Sequence, residues 1–263
     1  MVNAIALIDP LYSLAGLVVG LLVGFTGVGG GSLMTPLLVL AFGIHPVTAV
    51  GTDLLYAGIS KIFGSFVHGF NGAIDWRVTR RLATGSVPAA ALTLLALSHS
   101  GIDTKGTGSA IASTLGVAMI LTAITLVFRK RLLGAVEAFM ARRNDAQIGW
   151  LTIVLGAMLG FMVSISSVGA GAIGVTALLM LYPKMPTVRI VGTDIVHSVP
   201  MTLVAGAGHW GLGSVDLPLL LSLLIGSIPG IAVGSYFASR APDKLLRSIM
   251  AGTLALVGGR LVF

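Results

Sequence analysis

Residues Pro46-Val47-Thr48-Ala49-Val50-Gly51-Thr52-Asp53-Leu54 return later in the chain as Pro186-Thr187-Val188-Arg189-Ile190-Val191-Gly192-Thr193-Asp194-Ile195, with one residue inserted. The correspondence extends both ways. Upstream, Val28-Gly29-Gly30-Gly31 pairs with Val168-Gly169-Ala170-Gly171 at an offset of 140. Downstream the offset is 141: His68 pairs with His209, Gly72 with Gly213, Asp75 with Asp216, and Gly85-Ser86-Val87-Pro88 with Gly226-Ser227-Ile228-Pro229. A shared bias toward glycine and apolar residues does not align rare His, Asp and Pro positions over about 60 residues. The chain reads as a duplication.

The repeated unit is a membrane one. Of 263 residues, 56% are hydrophobic and 10% charged, and the mean hydropathy is +1.01. An average soluble domain carries about a quarter charged residues. The apolar residues fall in blocks of roughly 15 to 22, near the length needed to cross a ~30 Å hydrocarbon layer as helix. The first block, Leu11 to Phe25, has no basic residue before it and no small-residue cleavage site leading to a polar domain, so we expect it to remain in the mature protein. Glycine, at 36 residues, suits close helix packing and interrupted helices in a bilayer. Cysteine is absent, which removes disulfides and thiolate metal sites. The net charge of +7 resides in short runs between apolar blocks, the pattern of a membrane protein and not of a nucleic-acid binder.

Each unit divides into five apolar segments, giving an all-α polytopic architecture. They span 11–25, 31–43, 46–68, 78–98 and 108–128, then 148–165, 171–182, 187–207, 216–238 and 243–262. The organisation expected is a first membrane repeat over 1–128, a basic linker over 129–147 and a second repeat over 148–263. The first two segments of each unit are short, about 20 Å of helix apiece, yet joined they would make a ~50 Å rod. A broken or re-entrant pair resolves this, with breaks at Gly27 to Ser32 and at Ser164 to Gly171.

Basic residues set the orientation. Arg77, Arg80 and Arg81 follow the third segment; Arg129, Lys130, Arg131, Arg142 and Arg143 follow the fifth; Arg240, Lys244 and Arg247 follow the ninth. The positive-inside rule makes all three loops cytoplasmic. The loop Gly208 to Ser214 then lies outside although its counterpart lies inside, so the two repeats are expected to be inverted. In the linker, Phe128, Leu132, Leu133, Val136, Phe139 and Met140 recur three or four apart among basic residues. That spacing fits an amphipathic helix on the cytoplasmic surface, with a solvated connector as the alternative.

Inverted repeats with helices broken at matching positions are a recurring plan of secondary transporters, with substrate held near the midplane. The free amides and partial positive charge of a helix N-terminus favour an anion. The candidate binding residues are therefore Gly29, Gly30, Gly31 and Ser32 at the start of the second segment, and Gly169, Ala170 and Gly171 at the start of the seventh. Ser166 and Ser167 add hydroxyls there. The simpler role for such glycines is close packing. Their alignment in both halves favours binding.

The stretch Gly24-Phe25-Thr26-Gly27-Val28-Gly29-Gly30-Gly31-Ser32 with Pro36 beyond it, the Val-Gly-Thr after Pro46, and the echo of both in the second half resemble the TauE/SafE sulfite exporter family, within the wider group of toluene sulfonate uptake permeases. The likeness covers nearly the whole chain. It implies transport, inward or outward and without ATP hydrolysis, of sulfite, sulfonates, thiosulfate or related organosulfur anions. The implied pattern has Ser or Asn after Gly-Thr, and Asp53 and Asp194 depart from it.

Those aspartates lie in apolar segments, where a charge costs about 2.5 to 3.5 kcal/mol on insertion scales unless it meets a partner or water. Either they bind a coupling ion, a proton or Na+, or they cap helices and bond backbone at the breaks. Thr52 and Thr193 precede them and join the candidate set. Lys61, eight residues past Asp53 on nearly the same face, is placed to pair with it or attract anions. His197, three residues past Asp194, is placed for an Asp–His relay or for packing.

An integral membrane enzyme of the lipid-pyrophosphate phosphatase kind is the rival from another class. Such sites need clustered acids and arginines on phosphate. The breaks contain neither, and Glu137 is the single Glu of the chain. Five scattered histidines without His-x-x-x-His spacing offer no hydrolytic metal site. An anion channel is the nearer rival, since a pore can use the same helix ends. The reading is a transporter and not an enzyme, in the cell inner (plasma) membrane. Its expected partners are a small sulfur-containing anion, a proton or Na+, the bilayer and, as an open question, a second copy in a homodimer. No cofactor, metal or nucleic acid is expected.

Overall fold

The computed structural model describes residues 8–26, 31–70, 74–99, 108–140, 143–169 and 171–236, with a few isolated positions beyond 251. Among them every regular element is an α-helix: α1 (Pro10–Thr26), α2 (Gly31–Leu40), α3 (Pro46–Phe70), α4 (Trp76–His99), α5 (Gly108–Met140), α6 (Asp145–Ser166), α7 (Ala172–Leu181), α8 (Thr187–Gly211) and α9 (Leu217–Tyr236). The expected segment 243–262 and the first break at 27–30 lie outside the described residues. Among the described residues four helices are long and apolar enough to cross a bilayer: Trp76–His99, Asp145–Ser166, Thr187–Gly211 and Leu217–Gly234. With α2 and α7 at 10 residues each, the short second element of both halves is present. The expected linker helix is continuous with the fifth segment, because α5 runs 33 residues without interruption into it.

Starts and stops follow from local chemistry. Asn144 caps α6, its side chain accepting from the Gln147 amide while Gln147 reaches back to the Asn144 amide. Asp75 caps α4 by accepting from the amides of Arg77 and Val78, and Asp216 caps α9 by accepting from Leu219. Pro46 opens α3, where its missing N–H is no loss.

Packing between helices rests on glycine. A Cβ on Gly16 or Gly20 of α1 would run into the backbone of Leu223 or Ser227 of α9, and a Cβ on Gly226 into the carbonyl of Ser13. The equivalent positions of the other halves do the same: Gly156 and Gly160 of α6 lie on the backbone of Leu82 and Ser86 of α4, and Gly85 on the carbonyl of Ile153. Residue numbers rise together along both pairs, so α1 runs parallel to α9 and α4 to α6. Between α3 and α8 the order reverses, Gly51 against His209, Gly206 against Leu55 and Gly58 against Thr202, so these two cross antiparallel. Lipid offers little hydrophobic drive for helices to associate, so this backbone-to-backbone approach and its dispersion contacts carry the association.

Hydrogen bonds between the halves are also matched. The Asp216 amide donates to Thr52 Oγ1 at 3.0 Å, and the Asp75 amide donates to Thr193 Oγ1 at 2.9 Å. Each Thr-Asp motif thus holds the start of the fourth helix of the other half. The exposed rim is apolar, with Leu92, Leu95, Phe161, Leu221 and Val233 outward, as a lipid-facing surface requires. Ions gather where α4, α6 and α8 begin: Arg81 and Arg77 reach Asp145 at 2.8 and 3.2 Å, and Arg189 reaches Asp75 at 3.3 Å.

Gly85→Ala and Gly226→Ala each add a methyl where a neighbouring carbonyl already sits. Each is expected to cost about 1 to 3 kcal/mol, read as a lower unfolding temperature in detergent. Gly211→Ala, with open space around it, is expected to leave the temperature unchanged.

Candidate substrate and ion site

The second break is formed where α6 ends. Ser167 takes the left-handed conformation at φ 55, with its amide donating to the Val163 carbonyl at 2.7 Å, and Gly169 follows at φ 110. A left-handed serine turns the chain out of the helix, and a glycine at the next such position carries no Cβ penalty. The chain then re-enters helix at Gly171 and Ala172, with the amides of Ile173 and Gly174 donating to the Gly169 carbonyl at 3.0 and 3.2 Å. The first-turn amides of Gly171 and Ala172 have no carbonyl of their own helix to meet. The break is fully interior: Ser166, Ser167, Val168, Gly169, Gly171 and Ala172 are all buried.

Asp53 ties that break to the first half. Its Oδ2 accepts from the Ser167 hydroxyl at 3.0 Å, from the Thr35 amide at 3.1 Å and from the Thr35 hydroxyl. Three donors converging on one oxygen of an acceptor-only group is the pattern of a carboxylate. One side chain of α3 therefore joins α2 and the α6–α7 break. Asp53 Oδ1 has no hydrogen-bond partner among the described residues.

Asp194 lies against the other face of the same region. A Cβ on Gly174 of α7 would touch its Oδ1, which likewise has no hydrogen-bond partner among the described residues. Lys61 is 5% exposed and acts electrostatically on Asp194, Asp53 and His197. It forms no ion pair within 4.0 Å with either carboxylate among the described residues. His197 turns to Ser86, Nε2 to Oγ 2.8 Å, rather than to Asp194. His209 sits at the Ser164 carbonyl, Nε2 to O 2.8 Å, at the end of α6.

The remaining expected residues divide by position. Ser166 bonds locally, donating to the Met162 and Val168 carbonyls at 2.8 and 3.2 Å. Thr52 and Thr193 face the starts of α9 and α4 as described. Gly31 and Ser32 open α2. Gly29, Gly30 and Ala170 lie outside the described residues.

Residues 12–261 match the family described as Sulfite exporter TauE/SafE. The chain belongs to that family. A probable membrane transporter protein of Bacillus subtilis strain 168, YjnA, is 38% identical over 253 residues, covering 95% of this chain and 98% of that protein. A second from the same organism, YdhB, is 27% identical over 246 residues, 93% of this chain and 96% of its own length. A probable membrane transporter protein of Methanocaldococcus jannaschii is 25% identical over 269 residues, 96% of this chain and 94% of its own. No solved structure matches. This TauE/SafE member is a multi-pass membrane transporter.

Several polar residues at the centre of this transporter escaped the sequence reading: Thr35, Tyr56, Ser60, Ser86 and Ser227, all buried. For Ser86 and Ser227 a signal existed, since both sit in the repeated Gly-Ser-x-Pro stretch. Thr35 carries no such mark, because its role comes from where α2 lies against α3.

Ser167→Ala removes one of the three donors to Asp53 and keeps a left-handed non-glycine residue. It is expected to lower stability by about 1 to 3 kcal/mol, measured by denaturant unfolding. Thr35→Ser, which keeps the hydroxyl, is expected to stay within about 1 kcal/mol of the parent.

Proposed function

We propose that this TauE/SafE transporter is a secondary transporter of sulfite or a closely related sulfur-containing anion in the cell inner membrane. In this reading the two halves are inverted repeats and the anion binds between their helix breaks. The observation that carries it is the buried α6–α7 break, which Ser167 ties to Asp53 of the opposite half. A helix N-terminus presents about half a positive charge, and in a low-dielectric interior that charge is little screened. Lys61 adds a full charge to the same region.

The reciprocal contacts support the inversion. Parallel packing of α1 on α9 and of α4 on α6, with α3 antiparallel to α8, is what two oppositely directed copies give. The basic residues at the starts of α4, α6 and α8 support a cytoplasmic assignment for that end. Asp53 and Asp194 are the coupling-ion candidates, since an intramembrane acid at matching positions of two copies is placed to bind and release a cation during exchange. Thr52 and Thr193 are structural in this reading.

Purified protein is expected to gain thermal stability with sulfite or thiosulfate, approaching ~2.7 kcal/mol at a hundredfold excess over Kd, with smaller effects of taurine, sulfate and phosphate. Gly171→Leu is expected to fold with unchanged helix content and lose that gain. Equal stabilisation of Gly171→Leu and parent would place the anion elsewhere.

For orientation, Ala146→Cys in this chain without native cysteine is expected to react with an impermeant maleimide only after the membrane is opened. Labelling from outside intact cells would reverse the topology.

A further inference from the structure

The two aspartates differ in their surroundings. Lys61 acts electrostatically on both of them without an ion pair within 4.0 Å among the described residues, and its counterpart in the second half, Thr202, carries no charge. Asp53 has donors on Oδ2 and, among the described residues, none on Oδ1.

The surroundings of that bare oxygen are unusual. Tyr56 and Ser60 follow Asp53 at i+3 and i+7, within about 60° of one another around α3. Lys61 lies about 100° round from Ser60, on the side where its electrostatic partners on α8 sit. Ser227 of α9 and Ser60 both lie beside the Tyr56 hydroxyl. Yet among the described residues Tyr56 Oη, Ser60 Oγ and Ser227 Oγ each lack a partner at hydrogen-bond distance and angle, at exposures of 0%, 2% and 0%. On the opposite side the matching hydroxyl is satisfied, because Ser86 Oγ bonds His197 Nε2, while His197 Nδ1 has no partner among the described residues.

Four buried oxygens without a partner among the described residues, three of them from one face of α3, require an explanation, and an unseen water or ion is the usual one. The set is all oxygen, three neutral and one carboxylate. Hard cations select such ligands, and a single carboxylate balances a single positive charge; a divalent ion would be left undercompensated. Few ligands favour the smaller alkali ion.

We propose that Asp53 Oδ1 and the hydroxyls of Tyr56, Ser60 and Ser227 form a Na+ site between α3 and α9. The bound ion would balance Asp53, which has no ion pair within 4.0 Å among the described residues. The proposal rests on the coupling role given above to Asp53, and narrows it to one ion at one of the two aspartates.

The test uses the purified full chain without sulfite, its melting temperature titrated with NaCl against KCl and choline chloride at constant ionic strength. A saturable rise specific to Na+ is expected. Ser227→Ala and Tyr56→Phe are each expected to raise the half-saturating Na+ concentration tenfold or more, and Ser86→Ala to leave it within twofold. Asp53→Asn is expected to abolish the response; the two hydroxyl variants keep the test decisive if it does not fold. Equal effects of the three salts, or no effect, would assign water to the patch and overturn the site. Parental half-saturation in both hydroxyl variants would overturn it as well. Stabilisation by potassium sulfite in sodium-free buffer reads the anion site separately, so its survival beside a failed Na+ titration removes this inference alone.

Discussion

The structure depends on backbone meeting backbone at glycine. In a bilayer the surrounding lipid is as apolar as the helices, so association relies on close dispersion contacts and on hydrogen bonds between helices. Gly16 and Gly20 on α9, and Gly156 and Gly160 on α4, let the first helix of each half lie directly on the fourth helix of the other. With those outer pairs locked, α3 and α8 are left facing one another in the middle. Every polar residue of interest lies on or against these two helices.

That central placement explains why so much polarity is tolerated. Thr52, Asp53, Thr193, Asp194 and His197 are all 2% exposed or less. Protein rather than lipid surrounds them, and each hydrogen-bonded one reaches another element: Thr35 and Ser167 for Asp53, Ser86 for His197, the helix starts for the two threonines, with Thr193 also donating to the Arg189 carbonyl of its own helix. The broken helix belongs to the same logic. Its open amides face buried protein, where non-helical backbone at membrane depth is allowed.

Matching positions of the two halves do unequal work. Both threonines hold a helix start, so the frame is symmetric. Tyr56 stands where the other half has His197, and Lys61 where it has Thr202. The two halves thus differ on the inner faces of α3 and α8, while Gly16, Gly20 and Gly85, which lie on neighbouring backbone, recur as Gly156, Gly160 and Gly226.

Much of this was legible from residues alone. Segment lengths, the helical class and the interrupted second break follow from runs of apolar residues and from Gly169 and Gly171, because helix length against bilayer thickness and glycine freedom are local properties. Asp53 and Asp194 stood out because charge in an apolar run is costly wherever the run ends up. Partners were a different matter. That Ser167 and Thr35 meet on Asp53, and that His197 turns to Ser86 and not to the neighbouring Asp194, were decided by the tertiary structure. Each of these contacts joins residues on different helices, and the direction of a side chain around α3 or α8 has meaning only once the facing helix is in place.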